Sequence, residues 1–316
     1  MPDVLVIGAG LGGLLCGRIL RQKGCSVTIL EAGESAGGLL RGFQWEGVHC
    51  DCGFHSVGGL GPGEPLERIF RPLGLMDLPW YRADADEGFP FLRLNADSPF
   101  ERSHVLAPYS RSVWRLKGGG EALSDALAQG LDIRYGKRVV SIENQVVTCE
   151  DSSAFKADIV VSDLPPIKTL ELVKDHVRPS YGHRLKSLQY GPDIFSVHCK
   201  LQPGCVPWKS ASFFLDGNLM LHFGEPETHI LELLCFGEGN PEAMIARAAA
   251  FFPGLKVQKY HTMSSPGYGP VKERTAHCIS PITPIPWLFL TGMQIGLHGV
   301  LGTSVSALNT CKSINL

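Results

Sequence analysis

The sequence lacks the features that mark several functional classes. Of its 316 residues, 19% are charged, the formal net charge is −2, and no long basic run appears, so nothing in it suggests nucleic-acid binding. The 10 cysteines are scattered and contain no C-x-x-C pair. His49-Cys50-Asp51-Cys52 and His55 have no second ligand pair at zinc-like spacing, so no metal site is expected. No apolar run is long enough to span a bilayer. A strand pattern already begins at Val4, which leaves no room for a signal peptide. These absences give the expectation of a cytoplasmic protein with reduced thiols, with peripheral membrane contact left open. Hydrophobic residues make up 44% of the chain, which excludes a disordered polymer, and the length gives room for two domains.

What is present is concentrated at the N-terminus. The apolar run Val4-Leu5-Val6-Ile7 stops at Gly8-Ala9-Gly10-Leu11-Gly12-Gly13, a G-x-G-x-x-G turn, and Gly17 and Gly24 follow. A second apolar run, Val27-Thr28-Ile29-Leu30, ends at Glu31. Strand, glycine turn, helix, strand and terminal acid are the parts of a dinucleotide site. Gly8 permits the turn, and Gly10 lets backbone approach a pyrophosphate at the positive end of the helix. Gly13 and Gly17 allow close helix–strand packing, and Glu31 can accept hydrogen bonds from ribose hydroxyls.

The dinucleotide unit is expected in three pieces, residues 1–58, 114–166 and 287–316. The second piece holds the turn Gly118-Gly119-Gly120, a helical stretch to Ala128, strands near 138–142 and 145–149, and the apolar run Ile159-Val160-Val161. The third holds a strand ending at Gly292 and a helix from Gly299 to Ile314. Two insertions, 59–113 and 167–286, are expected to form a substrate domain, with strands at 195–201 and 230–236 and a helix from Glu242 to Phe252.

Further motifs separate flavin from nicotinamide. Gly37-Gly38 follows Glu31, and Asp51-Cys52-Gly53-Phe54-His55 makes D-x-G-x-H. With Leu116 to Leu123, Ala157 to Pro165, and Phe289-Leu290-Thr291-Gly292-Met293, the chain resembles the superfamily of flavin amine oxidases, protoporphyrinogen oxidases and phytoene (carotenoid) desaturases and isomerases. The resemblance implies an α/β fold: a discontinuous Rossmann-like FAD-binding domain with an inserted α+β substrate domain. It implies FAD held by Gly8, Gly10, Leu11, Gly12, Gly13, Glu31, Ala32, Gly37, Gly38, Leu39, Arg41, Val139, Gly292, Met293, Gly299 and Val300. Two departures stand out. Leu39 and Leu40 separate the glycine pair from Arg41, and Met293 stands where the family places an acid on the ribityl chain. The chain is also short for the family, which implies an open substrate site or one completed by a protein partner.

In flavin chemistry the cofactor performs the redox step, and the protein positions the substrate and manages protons. His298, before the last helix, and His55, closing D-x-G-x-H, are the catalytic candidates. Each could equally be a structural histidine bonded to backbone. Arg41, Arg68, Arg71, Arg82 and Arg93 read as surface charge before they read as an anion site. Tyr260 and Tyr268 fall where amine oxidases place cage aromatics, but core packing is the stronger reading. The implied function is FAD-dependent oxidoreduction at C–C bonds of a small apolar or conjugated molecule: desaturation, saturation or isomerisation. The alternatives are a C–N (amine) oxidase and a non-redox protein that uses FAD structurally or as an interaction module.

Overall fold

The computed structural model describes residues 1–53, 55–83, 112–210, 212–215, 219–265, 270–272, 275–276, 278–296 and 298–314. The chain opens with β1 (Asp3–Ile7), α1 (Leu11–Gln22) and β2 (Ser26–Leu30), then a hairpin of β3 (Gly42–Trp45) and β4 (Val48–Asp51). Helix α2 (Gly119–Ala128) and strands β5 (Asp132–Arg134) and β6 (Ile159–Ser162) follow. Next come β7 (Ile194–Leu201), β8 (Phe213–Leu215), β9 (Leu219–Phe223), β10 (Ile230–Phe236), α3 (Pro241–Phe251) and β11 (Val257–Ser265). The C-terminal segment contributes β12 (Leu288–Leu290) and α4 (Gly299–Ser313). Strands β7 and β10 and helix α3 lie within a residue of the expected 195–201, 230–236 and 242–252, each ending near a glycine or proline, whereas β3, β4, β5, β8, β9 and β11 were not anticipated.

The first sheet is parallel, in the order β12-β6-β1-β2-β5. Apart from the edge strand β5, its strands are largely apolar because both faces are covered. On one face Val6 and Ile29 pack with Leu14, Leu15 and Leu20 of α1 and Ala307 of α4. On the other, Leu5, Ile7 and Leu30 pack against Val147 and Cys149 of a three-stranded antiparallel sheet (139–143, 146–149 and 154–156). Leu60, Leu66, Phe70, Leu73 and Leu75 join the helical core. That part of the first insertion therefore packs on the dinucleotide unit.

The second sheet is antiparallel, in the order β8-β9-β10-β7-β11. One face buries Val197, Cys199, Leu221, Leu231 and Leu233 beneath Met244 and Ala248 of α3. Strand alternation sends Ser196, His198, His222 and Glu232 to the opposite face.

The two ends of the sequence are clasped together. A methyl group added to Gly12, in the first turn of α1, would lie 2.7 Å from the Gly292 Cα after β12. The Gly292 amide donates to Ser306 Oγ at 3.0 Å, and Thr310 Oγ1 donates to the Leu290 carbonyl at 2.8 Å. Gly12→Ala should therefore push α1 away from the β12–α4 turn. Overpacking of this kind costs about 1–3 kcal/mol. Urea unfolding is expected to show the loss, and an unchanged midpoint would show that the clasp yields.

Candidate functional site

The cofactor side is built from three glycine turns that meet at the end of β1. Gly8 has φ +96°, consistent with its expected role in the turn. Gly37 has φ +123°, its amide donates to the Ala9 carbonyl at 2.7 Å, and it bridges to Gly10. A side chain at Gly37 would run into Ser124 Oγ of α2 and Arg41 Cγ, each 2.8 Å from the methyl position. Ser124 Oγ is buried and has no hydrogen-bond partner among the described residues. Glu31 accepts from the Ala9 amide through Oε2 (2.8 Å) and from the Gly33 amide through Oε1 (2.7 Å). Arg41 donates to the Ser35 carbonyl at 3.1 Å and so braces this loop.

Of the other expected cofactor residues, Leu11 begins α1, Ala32 is exposed, and Val139 and Val300 pack at the edges of two cores. Met293 follows Gly292 and is half-buried, and Gly299 begins α4. Asp51 of the D-x-G-x-H segment accepts from the Gly120 amide at 3.1 Å, which fixes the α2 turn. A methyl on Gly53 would lie 3.1 Å from the Leu39 carbonyl, so this segment runs beside the Gly37-Gly38 turn.

The donor set fits FAD: glycine turns that bring backbone amides to the end of β1, a strand-end carboxylate with lone pairs to spare, and an orphaned hydroxyl beside Gly37. Sequence reasoning missed Asp163, the residue after β6. Its carboxyl lies in the space bordered by Gly10, Gly12 and Gly292. Burial pushes its pKa up to about 7; the Gly13 amide works against this and the Glu31 charge adds to it.

The second site is a row of polar residues across the inner face of the antiparallel sheet. Register pairs His222 of β9 with Glu232 of β10, Glu232 with His198 of β7, and His198 with His261 of β11. His55 reaches this row from the cofactor side, with Nδ1 3.1 Å from Glu232 Oε2. His198 Nε2 lies 3.6 Å from Glu232 Oε1, and Phe43 of β3 stands edge-on to the His198 ring at 4.9 Å. Glu232 is 3% exposed. A carboxylate that deep persists only with partners.

Burial presses the His55 imidazolium down, but the Glu232 carboxylate outweighs it by charge and hydrogen bond, so the His55 pKa is raised. The pairing energy is fully present below the unfolded pKa of about 6.5 and fades as pH rises through the raised folded value. His198 and His222 go the opposite way. Burial lowers both, helped by the His55 charge, and Arg115 adds to the effect on His222. Within the row, charge is thus favoured on His55 and disfavoured on His198 and His222. Sequence reasoning missed this row; a lone acid in apolar Ile230–Phe236 marks only one of its members.

His298 is buried at the N-cap of α4 without capping the helix through its side chain. Burial and the Glu232 charge raise Cys50 to about 12 and Cys52 to about 11, so both remain thiols. No cluster of three metal-ligating side chains occurs among the described residues. Arg68 donates to the Gly63 carbonyl and Arg71 pairs with Glu67, which ties both to local structure. Arg93 and Tyr268 lie outside the described residues. No helix among the described residues is long and apolar enough to cross a membrane.

Residues 6–73 match the NAD(P)-binding Rossmann-like domain family, and residues 84–194 match the flavin containing amine oxidoreductase family. The Danio rerio inactive all-trans-retinol 13,14-reductase is 47% identical over 58 residues, 18% of this chain and 10% of that protein. The Homo sapiens all-trans-retinol 13,14-reductase is 25% identical over 171 residues, 54% of this chain and 25% of that protein. The chain thus spans a quarter or less of the length of these curated relatives. The solved CLA-producing fatty acid isomerase from P. acnes superposes with TM-score 0.73 at 13% identity, covering 100% of this chain and 99% of that one, a likeness in fold.

Glu31→Ala removes the acceptor expected to face the ribose hydroxyls and frees two backbone amides. FAD affinity should fall by about 1.5–3 kcal/mol, the range for hydrogen bonds to a charged group. Unchanged affinity in a fluorescence titration would refute the assignment.

Proposed function

We propose that this chain, which belongs to the superfamily of FAD-dependent oxidoreductases, acts on C–C bonds of an apolar or conjugated small molecule. The observation that carries the reading is the His55–Glu232–His198 row, which faces the cofactor side of the molecule. FAD, when bound, exchanges a hydride with a substrate carbon. Saturating a C=C bond adds that hydride, with its electron pair, to one carbon and a proton to the neighbouring carbon; desaturation is the reverse.

His55 supplies the proton in this account. Glu232 favours the charged form of the His55 ring, and the His55 side chain is 11% exposed. Glu232 holds the ring and stabilises its charged form, and His198 closes the other side of the carboxylate. Phe43 gives the row an apolar wall. The names of the retinol reductases support an apolar polyene as the substrate class.

The amine oxidase reading loses its aromatic support at Tyr260. That side chain is exposed and donates to Glu242 at 2.6 Å on the outer surface. The non-redox reading keeps one observation: a relative 47% identical over 58 residues is named an inactive reductase.

The test uses FAD-loaded protein, chemically reduced without oxygen, with all-trans-retinol as the probe. Loss of polyene absorbance and flavin reoxidation are expected. Glu232→Gln should slow this by about 10²–10⁴-fold, the usual contribution of general acid catalysis, while flavin content is retained. Peroxide formation with amines, or no turnover with polyenes or fatty acids, would overturn the reading.

A further inference from the structure

The space that a dinucleotide pyrophosphate would enter already holds an acid. A methyl group on Gly10 would lie 2.7 Å from Asp163 Oδ2, and methyl groups on Gly12 and Gly292 would both collide with Oδ1. One carboxyl thus fills the floor shared by the N-terminal and C-terminal glycine turns. Its backbone is fixed, because the Asp163 amide donates to the Ile7 carbonyl at 2.8 Å. Asp163 is not a surface acid swung inward: β6 runs beside β1 in register and delivers it there.

Apart from the amide end of α1, the groups facing it offer little compensating side-chain charge. Glu31 approaches from β2 and repels it. The first turn of α1 contains no charged residue and contributes only the Gly13 amide. The Cys16 thiol, bonded to Thr291, stays neutral because burial raises its pKa, and the Asp163 charge raises it further. Arg41 lies beside Gly37, with its guanidinium turned to Ser35. A doubly charged pyrophosphate placed beside an ionised Asp163 would meet like charge at close range, which costs affinity. A neutral carboxylic acid in the same place has a proton to donate.

Resting on the FAD assignment above, we propose that Asp163 is a dinucleotide-binding residue that works as the neutral acid, donating a hydrogen bond to the pyrophosphate, so that FAD binds together with a proton. The resemblance places an acid at position 293, where this chain has a thioether. Asp163 is the acid that meets Gly292 instead. Its pKa, raised to about 7, puts the switch in the neutral range. The sign follows: affinity is full below that value and falls as pH rises through it.

The experiment is FAD titration of apo-protein, wild type and Asp163→Asn, from about pH 6 to about pH 8.5. The wild-type Kd should rise by up to about tenfold per pH unit above 7. Asp163→Asn keeps a donor without the charge, so its Kd should stay flat and be the lower of the two at the alkaline end. Parallel pH profiles, or weaker binding by the Asn variant throughout, would overturn the proposal. A misfolded variant does not end the test. Calorimetry of wild type in two buffers of different ionisation enthalpy should show uptake approaching one proton per FAD near pH 8, and zero uptake would overturn the proposal. If neither protein binds FAD at any pH, the FAD assignment itself fails, a result distinct from pH-independent binding.

Discussion

The structure depends on the close approach of two glycine turns from opposite ends of the sequence. Gly12 and Gly292 touch backbone to backbone, and no side chain larger than hydrogen fits between them. That contact seats the β12–α4 unit against α1 and closes the parallel sheet at β12. It also makes the floor of the cofactor cleft, since Asp163 enters where the two turns meet. The hydroxyls of Ser306 and Thr310 hold the β12 end from within α4, where their loss would leave buried backbone groups unpaired.

The protein handles two enclosed carboxyls, a buried Glu232 and a half-buried Asp163, in opposite ways. Glu232 keeps a cationic partner in His55 and a second imidazole in His198, so its cost of burial is offset by pairing. Asp163 has a backbone amide and a repelling neighbour, and its pKa rises to about 7, so that it takes up a proton readily. A paired carboxylate suits an electrostatic support for a charged ring. A neutral acid suits a hydrogen-bond donor to an anion. Environment alone separates these two roles, since the groups are chemically alike.

Much of the cofactor half was legible because its determinants are local. Gly8 to Gly13, Glu31 and Gly37-Gly38 lie within a short stretch whose spacing carries the turn geometry. Breakers such as Pro253-Gly254 bounded α3 for the same reason. The polar row was not legible, because His222, Glu232, His198 and His261 become neighbours only through strand register. Asp163 was hidden differently. It read as the end of an apolar strand, and only β1–β6 pairing shows that the next residue points across the glycine turn. The packing of Leu60 to Leu75 on the helical core also escaped the sequence, since an irregular, proline-rich stretch carries no clean period.

The central claim is that these separated pieces assemble one FAD site. The most direct measurement incubates the protein with equimolar FAD and NAD near pH 6, where the proton-linked account leaves affinity full, then removes free nucleotide, denatures the protein and identifies what is released. The account predicts FAD in near-stoichiometric amount. Release of NAD alone, or of neither nucleotide from folded protein, would contradict it.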